Sequence, residues 1–173
     1  DEVNSRQGSE LLFKQADNAW HTQWVAALGY NKTQVDNAED SAFAPDGTLL
    51  SKTSLAFDGL DRTINDAYFQ ARTSLYDGKL QLLYGGRIDD YPDFGVKRTP
   101  RMGVVFLPQP DRAYKFLYGE AFRAPIASEL TNGPFSKGNP DLKPETTKTY
   151  ELIFMQRCGN SKFEFTVFEN QWW

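Results

Sequence analysis

The chain has 173 residues, a formal net charge of −4, and aromatic residues at 14% of its positions. An acidic balance without a basic stripe disfavours nucleic acid as a partner. No segment approaches the roughly 20 consecutive apolar residues of a spanning helix, which excludes a helical membrane protein. A single cysteine, Cys158, and a single histidine, His21, argue against a disulfide framework and a histidine-rich zinc site.

Apolar and polar residues alternate with a period of two along most of the chain, which predicts β-strands. For example, Leu80, Leu82 and Tyr84 share one phase, whereas Gln81 and Arg87 share the other. The pattern defines about eight segments, each close to the ~9–11 residues that a tilted spanning strand needs. These segments are Ser9–Gln15, His21–Tyr30, Ala67–Leu75, Lys79–Arg87, Arg101–Leu107, Ala113–Arg123, Lys148–Arg157 and Lys162–Asn170.

The shared phase predicts one common apolar face across these strands. Its members include Leu80, Leu82, Tyr84, Met102, Val104, Phe106, Phe116, Leu152, Phe154, Phe163 and Phe165. Such a face suits the lipid surface of a membrane barrel and equally the buried side of a soluble sandwich. The alternation alone therefore leaves both readings open.

The connections between the segments alternate between short and long, which favours the membrane barrel. Short turn signals fall at Asp17-Asn18, Asp77-Gly78, Pro108–Asp111 and Gly159-Asn160. Longer linkers are predicted at Asn31–Asn65, Asp89–Thr99 and Ala124–Thr147. Outer-membrane barrels have short periplasmic turns and longer external loops. The fold class predicted is all-β: an antiparallel up-and-down meander forming part of a transmembrane β-barrel.

Three motifs follow one another in the C-terminal third of the chain. They are YGEAFRAP at Tyr118–Pro125, NPDLKPE at Asn139–Glu145 and YEL at Tyr150–Leu152. In this order they resemble the barrel of TonB-dependent outer-membrane receptors, where a strand end precedes a long external loop, a turn and a new strand. The segment Arg87–Gly95 resembles a hairpin tip of the same family. The resemblance covers about half of the chain, from about Leu80 to Asn170.

The resemblance implies a bacterial outer-membrane location and TonB-energised uptake of a scarce ligand such as a ferric siderophore. We expect residues 1–173 to be a fragment of the barrel, because neither the plug domain nor the TonB box of the family is recognisable. The expected partners are outer-membrane lipid, a small ligand such as a metal chelate, and the TonB complex through the missing plug region. No enzyme motif and no cofactor-binding motif occurs, so neither catalysis nor a cofactor is expected.

Candidate ligand-binding residues are Arg87 and Arg123, which lie on the predicted lumen phase near the bases of the long linkers. Binding residues concentrate on loops held by a rigid scaffold, and an electropositive lining suits an anionic chelate. A wall of ion pairs with carboxylates is the alternative for these and the other lumen-phase cations.

A metal site cannot be assigned from the sequence. Carboxylates could hold a cation at Asp90 and Asp93, or in the acidic stretch between Asp36 and Asp46. The order of these residues does not match an EF-hand, and solvated loop carboxylates are the alternative.

Two other functions fit the strand count. One is a complete small eight-stranded outer-membrane barrel with a structural or adhesive function, and the other is a soluble lipocalin-like binder. The three motifs favour the receptor barrel over both.

Overall fold

The computed structural model describes residues 3–17, 19–36, 38–54, 59–130, 137–139 and 141–173. These residues form ten strands and one helical turn, α1, at Ala127–Leu130. The strands are β1 (Val3–Asp17), β2 (Thr22–Asp36), β3 (Glu39–Phe43), β4 (Leu49–Ser54), β5 (Leu60–Leu75), β6 (Leu80–Tyr91), β7 (Gly95–Gln109), β8 (Arg112–Arg123), β9 (Glu145–Cys158) and β10 (Ser161–Trp172). No helix in this described part is long and apolar enough to cross a membrane.

Eight strands form one sheet in the order β1-β2-β5-β6-β7-β8-β9-β10, and β3 and β4 form a separate hairpin. Every neighbouring pair in the large sheet is antiparallel. The predicted up-and-down meander of about eight strands is therefore confirmed.

The register confirms the predicted common apolar face. Leu82 is opposite Val104, and Val104 is opposite Phe116 in the next strand. Phe116 is in turn opposite Leu152. Because side chains directly opposite one another point to the same side of a sheet, these residues share one face, which we call the outer face. The neighbouring phase, which begins with Gln81, forms the inner face.

The outer face carries large apolar side chains that remain open to the surroundings. Leu152 is 60% exposed and Phe165 is 56% exposed, whereas the few buried apolar residues include Ala27 and Ala71. A soluble sandwich would bury such a face against a second layer. A continuous face of exposed apolar side chains is typical of a lipid-facing surface.

The apolar band moves along the strands from one edge of the sheet to the other. In β1 it is represented by Leu11, which faces Leu28, close to the middle of the strand. In β10 it is represented by Phe163 and Phe165, which follow directly on the turn at Gly159. A band that stays level in a membrane must move in this way when the strands are tilted, as they are in every β-barrel.

The connections lie at two opposite ends of the sheet. Tight turns join Asp17 to Thr22, Leu75 to Leu80, Gln109 to Arg112 and Cys158 to Ser161, and they define the short-turn end. In the tight turn between β5 and β6, Tyr76, Asp77 and Gly78 all have positive φ. The other end, which we call the long-connection end, contains three segments. They join β2 to β5, β6 to β7, and β8 to β9.

Two predicted linkers are largely strand. The predicted linker Asp89–Thr99 was wrong, because β6 and β7 remain paired up to Tyr91 and Gly95 and only residues 92–94 connect them. The linker Asn31–Asn65 also contains strand: β2 runs to Asp36, β5 begins at Leu60, and the β3–β4 hairpin lies between them. Strands that extend beyond a membrane are wetted on both faces, so they lose the alternation by which they were recognised.

Candidate functional site

Charged side chains gather on the inner face towards the long-connection end. Arg87 lies at the centre of one cluster, where its Nε donates to Oδ1 of Asp89 at 2.7 Å. Its Nη2 lies 3.2 Å from Oδ2 of Asp66 on the adjacent strand. The side chains of Asp66 and Asp89 are 7% and 5% exposed, whereas that of Arg87 is 43% exposed. Two buried carboxylates thus hold one accessible guanidinium, and losing it would leave them without a cation.

A glycine in the neighbouring strand makes space for this cluster. Gly29 is directly opposite Asp66. A Cβ atom at Gly29 would lie 2.7 Å from Cγ of Asp66, so a side chain there would require the carboxylate to move. The absence of a side chain at position 29 therefore allows the Asp66 carboxylate to lie over β2 and reach Arg87.

Two further cations of the inner face contact residues of other strands. The guanidinium of Arg101 lies 5.7 Å from the centre of the Tyr68 ring, a cation–π geometry. Arg72 donates through Nη2 to Oε1 of Gln81 at 2.7 Å. The first contact crosses β6 to join β7 to β5, and the second joins the adjacent strands β5 and β6.

Arg123 forms a second cluster at the end of β8. Its Nη1 and Nη2 donate to Glu129 at 3.1 and 3.0 Å, and its Nε and Nη2 donate to Glu145 at 3.1 Å. Glu129 also accepts the backbone N–H of Ile126 at 3.0 Å. The hydrogen bonds from Arg123 and Ile126 hold the pKa of the Glu129 carboxyl below its usual value. Arg123 thereby joins the last residue of β8, the helical turn α1 and the first residue of β9.

The predicted turn motif extends this cluster. The backbone N–H of Asn139 donates to the carbonyl of Glu129 at 2.9 Å. The side-chain oxygen of Asn139 accepts the N–H of Asp141 at 3.0 Å, the geometry of an Asx-turn. Among the described residues, the YGEAFRAP and NPDLKPE motifs therefore form contacts at the base of the loop between β8 and β9. Residues 131–136 and 140 lie outside the described part.

A third group was not predicted from the sequence. Arg62 of β5 forms an ion pair with Asp93 at the β6–β7 tip and donates to the carbonyl of Pro125 at 3.4 Å. Tyr91 stacks on Phe94 with ring centres 4.4 Å apart. Arg62 was missed because its strand was predicted to begin after it, although residues 62, 64, 66 and 68 continue the inner phase of β5.

The structure places Arg87 and Arg123 on the same face but in separate clusters, each with its own pair of carboxylates. Among the described residues, no group of three or more histidine, cysteine or acidic side chains could hold a metal ion. Two of the candidate acidic residues have other contacts: Asp93 pairs with Arg62 and Glu39 pairs with Lys52. The side chain of Asp40 lies outside the described residues.

Comparison with known proteins agrees with this architecture. The family model "TonB dependent receptor-like, beta-barrel" matches residues 3–171. The iron-regulated outer membrane virulence protein of Vibrio cholerae is 34% identical over 100 residues, which are 53% of this chain and 15% of that protein. The vitamin B12 transporter BtuB of Vibrio vulnificus is 27% identical over 112 residues, 65% of this chain and 17% of the transporter.

Among solved structures, the siderophore receptor PirA from Pseudomonas aeruginosa superposes with a TM-score of 0.75 at 20% identity. The match covers 98% of this chain and 31% of the PirA chain. This likeness concerns the fold, since the identity is low. The chain spans less than a fifth of the length of its curated relatives and about a third of the solved receptor.

The open apolar outer face, the tilted meander and the charged inner face define a segment of a bacterial outer-membrane β-barrel wall. The chain belongs to the TonB-dependent receptor β-barrel family.

Proposed function

We propose that this segment is part of the wall of a receptor that imports a ferric siderophore across the outer membrane, energised by the TonB complex. The observation that carries the proposal is the 34% identity with a protein named for regulation by iron. A name given to a relative describes that relative, so the transfer of the substrate class to this chain is our inference. We further propose that the plug domain and the remaining strands belong to the rest of a longer polypeptide.

The exposed guanidinium groups of the inner face suit contact with an anionic ligand. We propose that Arg87 and Arg123 contact the ligand at the bases of the long connections. Both lie towards the long-connection end, and their side chains are 43% and 51% exposed. The paired carboxylates fix each guanidinium in place, so a ligand meets a cation that has already lost much of its conformational freedom. Glu145 is 67% exposed and is the partner that a ligand could displace most easily.

Deletion of the full-length receptor gene tests the proposed function. In iron-limited cells, uptake of radiolabelled iron from a panel of catecholate and hydroxamate siderophores should fall for at least one siderophore. The same loss should follow deletion of TonB, with cobalamin uptake as the control. Unchanged iron uptake together with a loss of cobalamin uptake would instead support a cobalamin receptor, which the 27% identity to BtuB favours.

Single substitutions in the full-length receptor test the two arginines. R87Q and R123Q should each weaken binding of the identified siderophore roughly tenfold, the effect of losing one charge-assisted hydrogen bond. R157Q is the matched control, because Arg157 has the same inner phase but lies at the short-turn end. Equal affinities of all three variants and the wild type would exclude the two arginines as ligand contacts.

A further inference from the structure

The outer face contains a groove that neither the import function nor the ion-pair clusters explain. It has a volume of about 660 Å³ and crosses strands β1, β2, β5, β6 and β7. Ala26, Ala67, Gly86 and Pro100 contribute small outer-face side chains, or none, to its lining. Larger neighbours such as Phe13 also line the groove, so the small residues leave a depression in an otherwise bulky apolar surface.

The register sets the positions of these small residues. Ala26 and Gly86 lie on either side of Phe69, and Gly86 is also opposite Pro100, so this row places small groups beside one large side chain. In the next row towards the long-connection end, Ala67 lies between Leu28 and Ile88. A flexible hydrocarbon chain fits such a furrow better than a flat surface, because it gains dispersion contacts on more than one side.

The end of the groove nearest the long connections carries a positive charge. Arg98 lines the groove and is exposed, in the row that also contains Ile88. In the part of the chain that the structure describes, Arg98 takes part in no ion pair. Asp90 is one row further out on the same face, and it lies beyond ion-pairing distance of Arg98. By contrast, Lys148, another outer-face cation, lies 3.6 Å from Glu120 and 5.0 Å from the Trp173 ring.

An unpaired arginine at the edge of a lipid-facing apolar band suits a phosphate group. Arginine binds phosphate oxygens through two parallel N–H groups, and it lies favourably where its stem is in lipid and its head in the interface. We propose that the groove binds an acyl chain of lipid A, the phosphate-bearing glycolipid of the outer leaflet, with a lipid A phosphate on Arg98. The inference rests on an orientation in which the long connections face outside the cell, as the longer loops of outer-membrane barrels do.

The full-length receptor, purified in detergent, provides the test. It is incubated with bisphosphorylated lipid A or with phosphatidylglycerol, and native mass spectrometry counts the lipid that each variant retains. Ala67→Phe and Ala26→Leu fill the groove, and each should lower lipid A retention roughly tenfold. R98Q should lower it similarly, and R98K should retain most of it. Val104→Phe is the matched control, because Val104 lies on the outer face away from the groove, and its retention should equal that of the wild type.

Retention that is the same in R98Q and in both groove-filling variants as in the wild type would overturn the proposal. A preference for phosphatidylglycerol over lipid A, or a receptor dimer lost in the groove-filling variants, would also overturn it. If Ala67→Phe fails to insert, Ala26→Leu and R98Q still decide the question. The lipid count does not depend on the imported ligand, so a receptor that imports cobalamin instead of iron would still show the same pattern of lipid A retention.

Discussion

Adjacent residues in β9 lie on opposite faces of the sheet, so single substitutions can test the environment of each face. Leu152 lies on the outer face opposite Phe116 and is 60% exposed. Ile153 is on the inner face opposite Lys115. A charge at the first position would enter lipid, and a charge at the second would enter the polar interior of the barrel.

Leu152→Arg should therefore destabilise the full-length receptor in lipid by about 2–4 kcal/mol, the cost of arginine near the bilayer midplane. Ile153→Arg should cost clearly less, because the inner face already accommodates Lys115 and other cations. The measurement is a urea folding titration in lipid vesicles. Equal destabilisation by the two substitutions would contradict a lipid-facing outer face.

Position 103 is a poor place for the same experiment, although its phase would suggest it. Gly103 is buried, and a Cβ atom there would lie 2.9 Å from Cδ2 of Leu117. An arginine at this position would fail through crowding and not through solvation. Sequence phase identifies the face of a residue, whereas only the packing shows whether that face has room.

Glu129 gives a pH-dependent prediction for the loop between β8 and β9. Its pKa is lower in the folded protein than in an unfolded chain, because Arg123 and the Ile126 N–H stabilise the carboxylate. The stabilisation is thus present above the ordinary carboxyl pKa and is lost as the pH falls through the lowered value. Limited proteolysis of residues 124–144 should accelerate on acidification in the wild type. The Glu129→Gln variant should already be cleaved rapidly at neutral pH, and its cleavage should accelerate less on acidification. If the variant instead accelerates as much as the wild type, the Glu129 carboxylate does not hold this loop.

At the scale of elements, the strand cores were predictable and their outer ends were not. Within the membrane, one face is apolar and the other polar, so alternation identified Lys79–Arg87 as strand and placed Leu82 correctly. Beyond it, β6 continues through Asp89 and Asp90 to Tyr91. Both faces meet water or polar side chains there, and the backbone pairing continues without an alternating pattern. The β3–β4 hairpin escaped prediction for the same reason.

Gly29 of β2 has no side chain and therefore leaves room for the Asp66 carboxylate of β5. Gly29→Ala should force Asp66 away from β2 and weaken its ion pair with Arg87. We expect a loss of about 1–3 kcal/mol in the free energy of unfolding, typical of overpacking. A urea titration of the full-length receptor in lipid measures it.

A double substitution separates this cause from the loss of backbone freedom at Gly29. Asp66→Ala removes the carboxylate that the new methyl group would meet. If crowding is the cause, Gly29→Ala should cost much less in the Asp66→Ala background than in the wild type, a non-additivity expected of residues in contact. Strictly additive effects would show that Gly29 is required for another reason.

At the scale of the whole molecule, the sequence indicated where the two arginines lie but not which residues they contact. Arg87 and Arg123 lie on the inner face at the predicted end, as their phase and position indicated. Their partners Asp66 and Glu145 were not predictable, because they belong to other strands, 21 and 22 residues away in the chain. Register between strands decides such pairs, and register is a property of the sheet and not of any one segment.

Chain parity fixes which connections share an end. Each antiparallel strand reverses direction, so the tip of the β3–β4 hairpin and the loop between β8 and β9 belong to the long-connection end, and the turn at Tyr76–Lys79 belongs to the short-turn end. Outer-membrane barrels place longer loops outside the cell and short turns in the periplasm. We therefore expect the tip at Asp46-Gly47 to face outside.

A protease site inserted between Asp46 and Gly47 of the full-length receptor should be cut when protease is added to intact cells. The same site inserted between Asp77 and Gly78 should be cut only after the outer membrane is permeabilised. Both insertions fall in turns that contain a positive-φ glycine. Cutting at Asp77-Gly78 in intact cells, with protection at Asp46-Gly47, would reverse the orientation. It would then place Arg87, Arg123 and the Arg98 groove at the periplasmic end, where neither an external ligand nor outer-leaflet lipid A could reach them first.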